Sequence, residues 1–148
     1  YASTRKLHAD IKGEDVATVV TETASGMTVV TELAYAGTPL ERECFPQTLL
    51  FVEGDKGSLE LGPNYELRVT TAEGTVSRRH APPHHAWVNP AYSVVQSSIV
   101  PCNANLLQGV TGGKAETTAT DNLRTLELVE AAYESAATGK VVRLATPT

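Results

Sequence analysis

Two periods of apolar and polar positions organise the chain. Over residues 15–79, short alternating runs are separated by glycine-containing breaks; from residue 92 onward, apolar residues recur every three to four positions. Alternation with period two marks half-buried strands, and the longer spacing marks amphipathic helices. Residues 15–23 and 27–35 therefore read as two strands joined at Ser25-Gly26, with Met27, Val29, Leu33 and Tyr35 on one face and Thr28 and Glu32 on the other. Residues 48–79 read as a meander of four strands, 49–52, 58–61, 65–71 and 75–79, broken at 54–57, 62–64 and 72–74. Residues 80–90 form a loop broken by Pro82, Pro83 and Pro90.

A helix is expected over about residues 92–108, with Val95, Ile99, Cys102, Leu106 and Val110 as one apolar stripe. Pro101 lies inside that span and should kink the helix or mark its start. The last helix opens at Thr118 and Asp121, spaced as a capping box, and closes at Gly139. Its buried stripe is expected to be Leu126, Val129, Tyr133 and Ala136, with Arg124, Glu127, Glu130 and Glu134 in water. Residues 141–144 read as a final short strand. The fold class is α+β: a mostly antiparallel open sheet of five to seven strands, with helices packed on one face, in a single domain over 1–148.

Composition narrows the field. Thr and Val together fill 35 of 148 positions, which favours sheet. Lys and Arg number 12 against 17 Asp and Glu, a net charge of −5. That balance disfavours nucleic acid and anionic membrane surfaces as partners. No apolar run reaches the ~20 residues that a membrane-spanning helix needs. Two cysteines, Cys44 and Cys102, cannot build a disulfide scaffold and fit a cytoplasmic protein, with Cys102 expected as an inert buried thiol. The chain opens Tyr-Ala-Ser-Thr and its sole methionine is Met27, so we expect a processed start or a piece of a longer protein.

Catalytic constellations are hard to find. Gly109-Val-Thr-Gly-Gly-Lys114 follows a helix and does not open one, so it reads as a helix end and not as a phosphate loop. Ser58 sits in a turn without the strained elbow of a nucleophilic serine. Glu41 and Glu43 point to one side of an extended segment with no evident cleft. His80, His84 and His85 cluster within six residues, but in a proline-broken loop with no nearby acidic or thiol ligand, so no metal site is assigned. His8 stands alone and reads as structural or exposed.

The closing segment, from Asp121-Asn-Leu-Arg-Thr-Leu through to Val-Val-Arg-Leu144, resembles the end of the Gfo/Idh/MocA oxidoreductase family. In the same order, Gly13-Glu-Asp-Val-Ala-Thr-Val19 resembles the family's entry strand and Ser25-Gly-Met27 its hairpin turn. Val52-Glu-Gly-Asp-Lys-Gly-Ser-Leu-Glu-Leu61 resembles its glycine-rich turn, and residues 87–100, from Trp87 to Val100, the run into its penultimate helix. The resemblance covers about residues 8–144. It implies the C-terminal domain of an NAD(P)-dependent dehydrogenase acting on a sugar, inositol or related polyol, partnered by an N-terminal dinucleotide-binding domain. The family's glycine fingerprint, Glu-Lys-Pro motif and Asp/His pair have no counterpart in this chain. No catalytic or cofactor-binding residue is therefore carried over, NAD or NADP belongs to the parent protein and not to this fragment, and the fragment alone is expected to be inactive. The resemblance further implies a homo-oligomer through the open sheet face and a wall for a small-molecule substrate. By position on the loop between sheet and helix, His84, His85 and Trp87 are the candidate substrate-binding residues. The competing reading is a stand-alone β-rich interaction module; a metal protein built on the histidine loop is a further alternative.

Overall fold

A computed structural model describes residues 1–35 and 48–145. The chain forms β1 (Ala2–Arg5), β2 (Val16–Glu22), β3 (Thr28–Ala34), β4 (Leu50–Gly54), β5 (Gly57–Leu61), β6 (Glu66–Thr71), β7 (Gly74–Arg79), α1 (Ser93–Val110) and α2 (Ala119–Thr138). These fall into two compact units, one of Tyr1–Pro39 with Thr117–Thr148, the other of Leu40–Glu116.

The first unit is a three-stranded antiparallel sheet in the order β1-β2-β3 with α2 against β1. The β2–β3 turn closes as the Ser25-Gly26 pattern predicts: Thr23 N–H donates to Met27 O at 2.9 Å, and Gly26 takes a φ of 85° that glycine adopts without strain. β1 carries no alternating apolar run that would announce it. It is held by its ladder with β2, Ala2 opposite Val19 and Arg5 opposite Val16. Because directly opposed residues share a face, Val29 and Leu33 lie on the same side as Ala2 and Val19.

α2 begins and ends as expected. Thr118 Oγ1 accepts from Asp121 N–H at 3.1 Å, and Gly139 closes the helix at φ 68°. Its inward face, however, is rotated from the expected stripe. Leu126, Val129 and Tyr133 are exposed, while Ala131 and Ala132 are half-buried and Ser135 is fully buried. The reason is the contact itself. Ser135 Oγ accepts from Ala2 N–H at 2.9 Å and donates to Lys140 O at 2.6 Å, so the helix approaches the strand on its small residues, not its large ones. Residues 141–144 make no strand ladder among the described residues, in contrast to the expected final strand.

The second unit contains the four-stranded antiparallel meander β4-β5-β6-β7, close to the predicted spans. Its register lines up Val52, Leu59, Val69 and Val76 on one face and Phe51, Glu60, Arg68 and Ser77 on the other. α1 runs from Ser93 to Val110 with Pro101 inside it, so the proline does not start the helix. The expected stripe of α1 is not buried. Val95, Ile99, Leu106 and Val110 are exposed, and Cys102 is an exposed free thiol, not a buried one. Helical spacing identifies an apolar side but carries no information about what covers it. No described helix is long and apolar enough to cross a membrane.

Candidate functional site

The loop after β7 is pinned at both ends. His80 N–H donates to Tyr65 O at 2.8 Å, and Asn89 Oδ1 accepts from Ala91 N–H at 3.0 Å, capping the short helical turn Pro90–Tyr92 that leads into α1. Between these anchors Val88 is buried, and its N–H donates to His85 O at 3.0 Å, forming a tight turn. That turn brings two of the sequence candidates together. The rings of His85 and Trp87 stack with centroids 5.3 Å apart and planes 29° from parallel. Trp87 is 70% exposed, so the indole presents an open face backed by the imidazole. His84 is placed separately: its Nδ1 shares a hydrogen bond of 2.9 Å with Ser93 Oγ at the start of α1.

Among the described residues His85 Nε2 is buried without a hydrogen-bond partner, and so is the hydroxyl of Tyr65, whose carbonyl anchors His80. An unpaired buried donor or acceptor costs on the order of 1–3 kcal/mol, and a bound polar group would relieve it. Asn64 and Tyr65 hold φ of 59° and 63°, a left-handed pair that non-glycine residues adopt at a cost. The proline pattern of the loop gave no hint of Tyr65, which precedes β6 and meets the loop through its carbonyl at His80. Among the described residues no group of three potential metal donors forms around His80, His84 and His85. Glu41 and Glu43 lie outside the described residues. The 109–114 segment is a helix end: Thr111 N–H donates to Leu107 O and Gly113 N–H to Gln108 O.

A second polar cluster lies in the first unit, where sequence reasoning saw only a lone histidine. Asp15 is buried and accepts from Leu7 N–H at 2.7 Å, His8 N–H at 2.6 Å and the His8 ring Nδ1 at 2.8 Å. Burial by itself pushes the Asp15 carboxyl up, and the bonds from His8 and Leu7 together outweigh it, holding the carboxyl below its ordinary range. Beside it, Tyr133 Oη donates to Glu14, which lowers the carboxyl of Glu14 and raises the phenol of Tyr133. These contacts fix the β1–β2 loop and tie it to α2.

No family model matches the chain. The chain is 40% identical over 144 residues to a D-apiose dehydrogenase of Paraburkholderia graminis, covering 97% of this chain and 38% of that protein. A D-apiose dehydrogenase of Rhizobium rhizogenes is 37% identical over 142 residues, with 95% and 41% covered. The fold matches an oxidoreductase from Agrobacterium radiobacter, solved in complex with NAD+, L-tartaric acid and magnesium, at a TM-score of 0.86 and 37% identity, over 95% of this chain and 41% of that one. GenD2 from gentamicin A biosynthesis, solved with NAD, shares the fold at a TM-score of 0.60 and 21% identity, over 98% and 41%. By sequence and fold the chain belongs with the C-terminal part of oxidoreductases of the Gfo/Idh/MocA type. It spans about two fifths of the length of the curated relatives it matches. Nothing in these likenesses supports a stand-alone interaction module.

Proposed function

We propose that the chain is the substrate-side domain of an NAD-dependent dehydrogenase acting on a sugar, with D-apiose the first substrate to test. The observation that carries this reading is the 40% identity to a D-apiose dehydrogenase across 97% of the chain. The chain's own residues do not fit a dinucleotide. No Gly-x-Gly-x-x-Gly occurs anywhere in it, and its glycine-rich segment at 109–114 closes a helix. An N-terminal dinucleotide-binding domain of the parent polypeptide therefore holds NAD, which when bound accepts the hydride, and the 148-residue chain alone turns over nothing. In this reading Trp87 offers its face to the carbon skeleton of the sugar, while His84 and His85 supply polar contacts to hydroxyls. The apolar face of β4–β7, with Leu50, Val52, Val69 and Val76 exposed, supports a homo-oligomer through the open sheet.

The test is NADH formation by the full-length protein with D-apiose, set against myo-inositol. Oxidation of D-apiose is expected, and its absence overturns the substrate. Trp87→Ala is expected to raise KM for the sugar by about tenfold, the loss of roughly 1.4 kcal/mol of binding, with kcat less affected. An unchanged KM removes Trp87 from the site. Sedimentation equilibrium of the full-length protein at micromolar concentration is expected to show a dimer or larger, and a monomer refutes the oligomer.

A further inference from the structure

The first unit contains an unfinished sheet edge. Tyr1 and Val20 form a hydrogen-bonded pair: the Tyr1 amino group donates to Val20 O at 2.9 Å, and Val20 N–H donates to Tyr1 O at 2.8 Å. β2 continues beyond this pair to Glu22, whereas the strand opposite it stops at Tyr1. Backbone groups of an antiparallel strand point alternately to its two neighbours. Val20 points to the β1 side, so Thr21 points to β3, and Glu22 again presents its N–H and C=O to the β1 side, where none of the described residues pairs with them. A groove of about 710 Å³ opens at this point, with Tyr1, Val20, Glu22, Leu128, Ala132 and Val141 in its wall.

The other side of the groove is equally incomplete. The outward N–H of Ala2 is taken by Ser135 Oγ, which also binds Lys140 O. This ties the start of β1 to the end of α2 and leads residues 141–144 along the groove. Their Val-Val-Arg-Leu pattern is that of a strand, yet they pair with no described strand, and Val141 is 70% exposed. Two backbone edges therefore flank one groove, and β1 points into it from its own N-terminal end.

We propose that this groove is the seat of an extended segment, the residues immediately ahead of Tyr1 in the longer polypeptide, which prolong β1 between β2 and residues 141–144. The inference rests on placing the chain as the C-terminal part of a longer protein, and is independent of the substrate. The occupant follows from direction: β1 read backwards runs alongside Thr21 and Glu22, and the relatives are more than twice as long as this chain. The register then assigns the contacts. The residue directly ahead of Tyr1 opposes Thr21 and shares the face of the buried Ala2, so it is apolar or small. The residue two ahead exchanges both backbone bonds with Glu22 and faces the opposite side. The backbone of the residue directly ahead points outward to residues 141–144 and turns them into the missing strand.

Amide hydrogen exchange in the longer polypeptide tests this. The Glu22 amide is expected to exchange about as slowly as that of Val20, and a Glu22 amide exchanging at the free-peptide rate overturns the proposal. The register has its own test, in a background with Cys44→Ser and Cys102→Ser. Non-hydrogen-bonded partners lie ~4.5 Å apart at Cα, within disulfide reach. A cysteine directly ahead of Tyr1 is expected to close with Thr21→Cys under mild oxidation and not with Ala24→Cys. Failure of the first pair, or equal closure of both, overturns it. Neither readout depends on turnover, so loss of D-apiose oxidation leaves this result standing.

Discussion

The two sheets are held in different ways. The three-stranded sheet is tied to distant α2 by two side chains, Ser135 on Ala2 and Tyr133 on Glu14, and its β1–β2 loop closes on buried Asp15, which gathers Leu7 and His8. The four-stranded sheet relies on neighbours in sequence. Among the described residues its bonds between two side chains, Arg68 to Glu60, Ser77 to Glu66 and Thr70 with Thr75, lie between adjacent strands and are exposed. The difference teaches where each is vulnerable. A sheet built of tight turns fails when a turn or a close backbone approach is spoiled, whereas a sheet anchored from afar fails when a buried polar anchor is removed.

The largest effect is therefore expected at Gly57, which starts β5 at φ 146°. A Cβ there would lie 2.0 Å from Thr70 O, a backbone atom that cannot step aside. Gly57→Ala should cost roughly 3 kcal/mol from strain alone, with the clash in addition, by chemical denaturation. Gly62→Ala is the control: its Cβ would meet Glu66 O at 3.8 Å, an ordinary contact, and the change should stay within about 1 kcal/mol. Comparable losses at both positions would mean that close approach between strands does not govern this sheet.

Ser135→Ala comes next. It leaves Ala2 N–H and Lys140 O without their partner and should cost about 1–3 kcal/mol. Ser97, also buried, donates only to Val94 O within its own helix, and Ser97→Ala should fall within about 0.5 kcal/mol of neutral. Equal losses would erase the distinction between an anchor and a local bond.

These two serines show what the sequence discloses and what it conceals. The meander was legible because alternation and glycine-bearing turns act locally: the register follows once Gly54, Gly57 and Gly74 place the reversals. The ends of α2 were legible for the same reason, since Thr118, Asp121 and Gly139 act on backbone within one turn. The faces of the helices were not, because Leu126 and Tyr133 advertise hydrophobicity while contact distance selects Ala131 and Ser135. β1 escaped notice because its strand character comes from pairing with β2, from Ala2 opposite Val19 to Arg5 opposite Val16, across the loop between them. Of the candidate site, the crowding of His84, His85 and Trp87 was visible, but the stack of His85 on Trp87 depends on how the loop closes.

Acid should act on the anchored sheet first. The Asp15 carboxyl is held below its ordinary value in the folded state, so its contribution is fully present above the unfolded-state value and is lost as pH falls through the folded one. Thermal unfolding followed at decreasing pH below about 5, where unfolded aspartate begins to take up protons, should show Tm falling for the wild-type chain. Asp15→Asn should lower Tm at neutral pH and flatten the acid slope. A variant whose acid slope matches wild type would place the sensitivity in other carboxylates.

The smallest effect tests whether the four-stranded sheet owes anything to charge. Arg68 Nη1 lies 3.3 Å from Glu60 Oε2, and both side chains are about half exposed. Water competes for each group, salt screens the pair, and both long side chains lose rotamer freedom to meet. The pair also sits directly cross-strand, where opposite charges contribute and like charges oppose. Arg68→Ala and Glu60→Ala should each stay within about 0.5 kcal/mol of wild type, with a coupling in the double-mutant cycle of about 0.2–1 kcal/mol that shrinks in high salt. Arg68→Glu, which sets two carboxylates face to face, should be the worst of the set. A coupling well above that range, or one indifferent to salt, would mean that the pair is shielded from water, and would move this sheet toward the anchored kind.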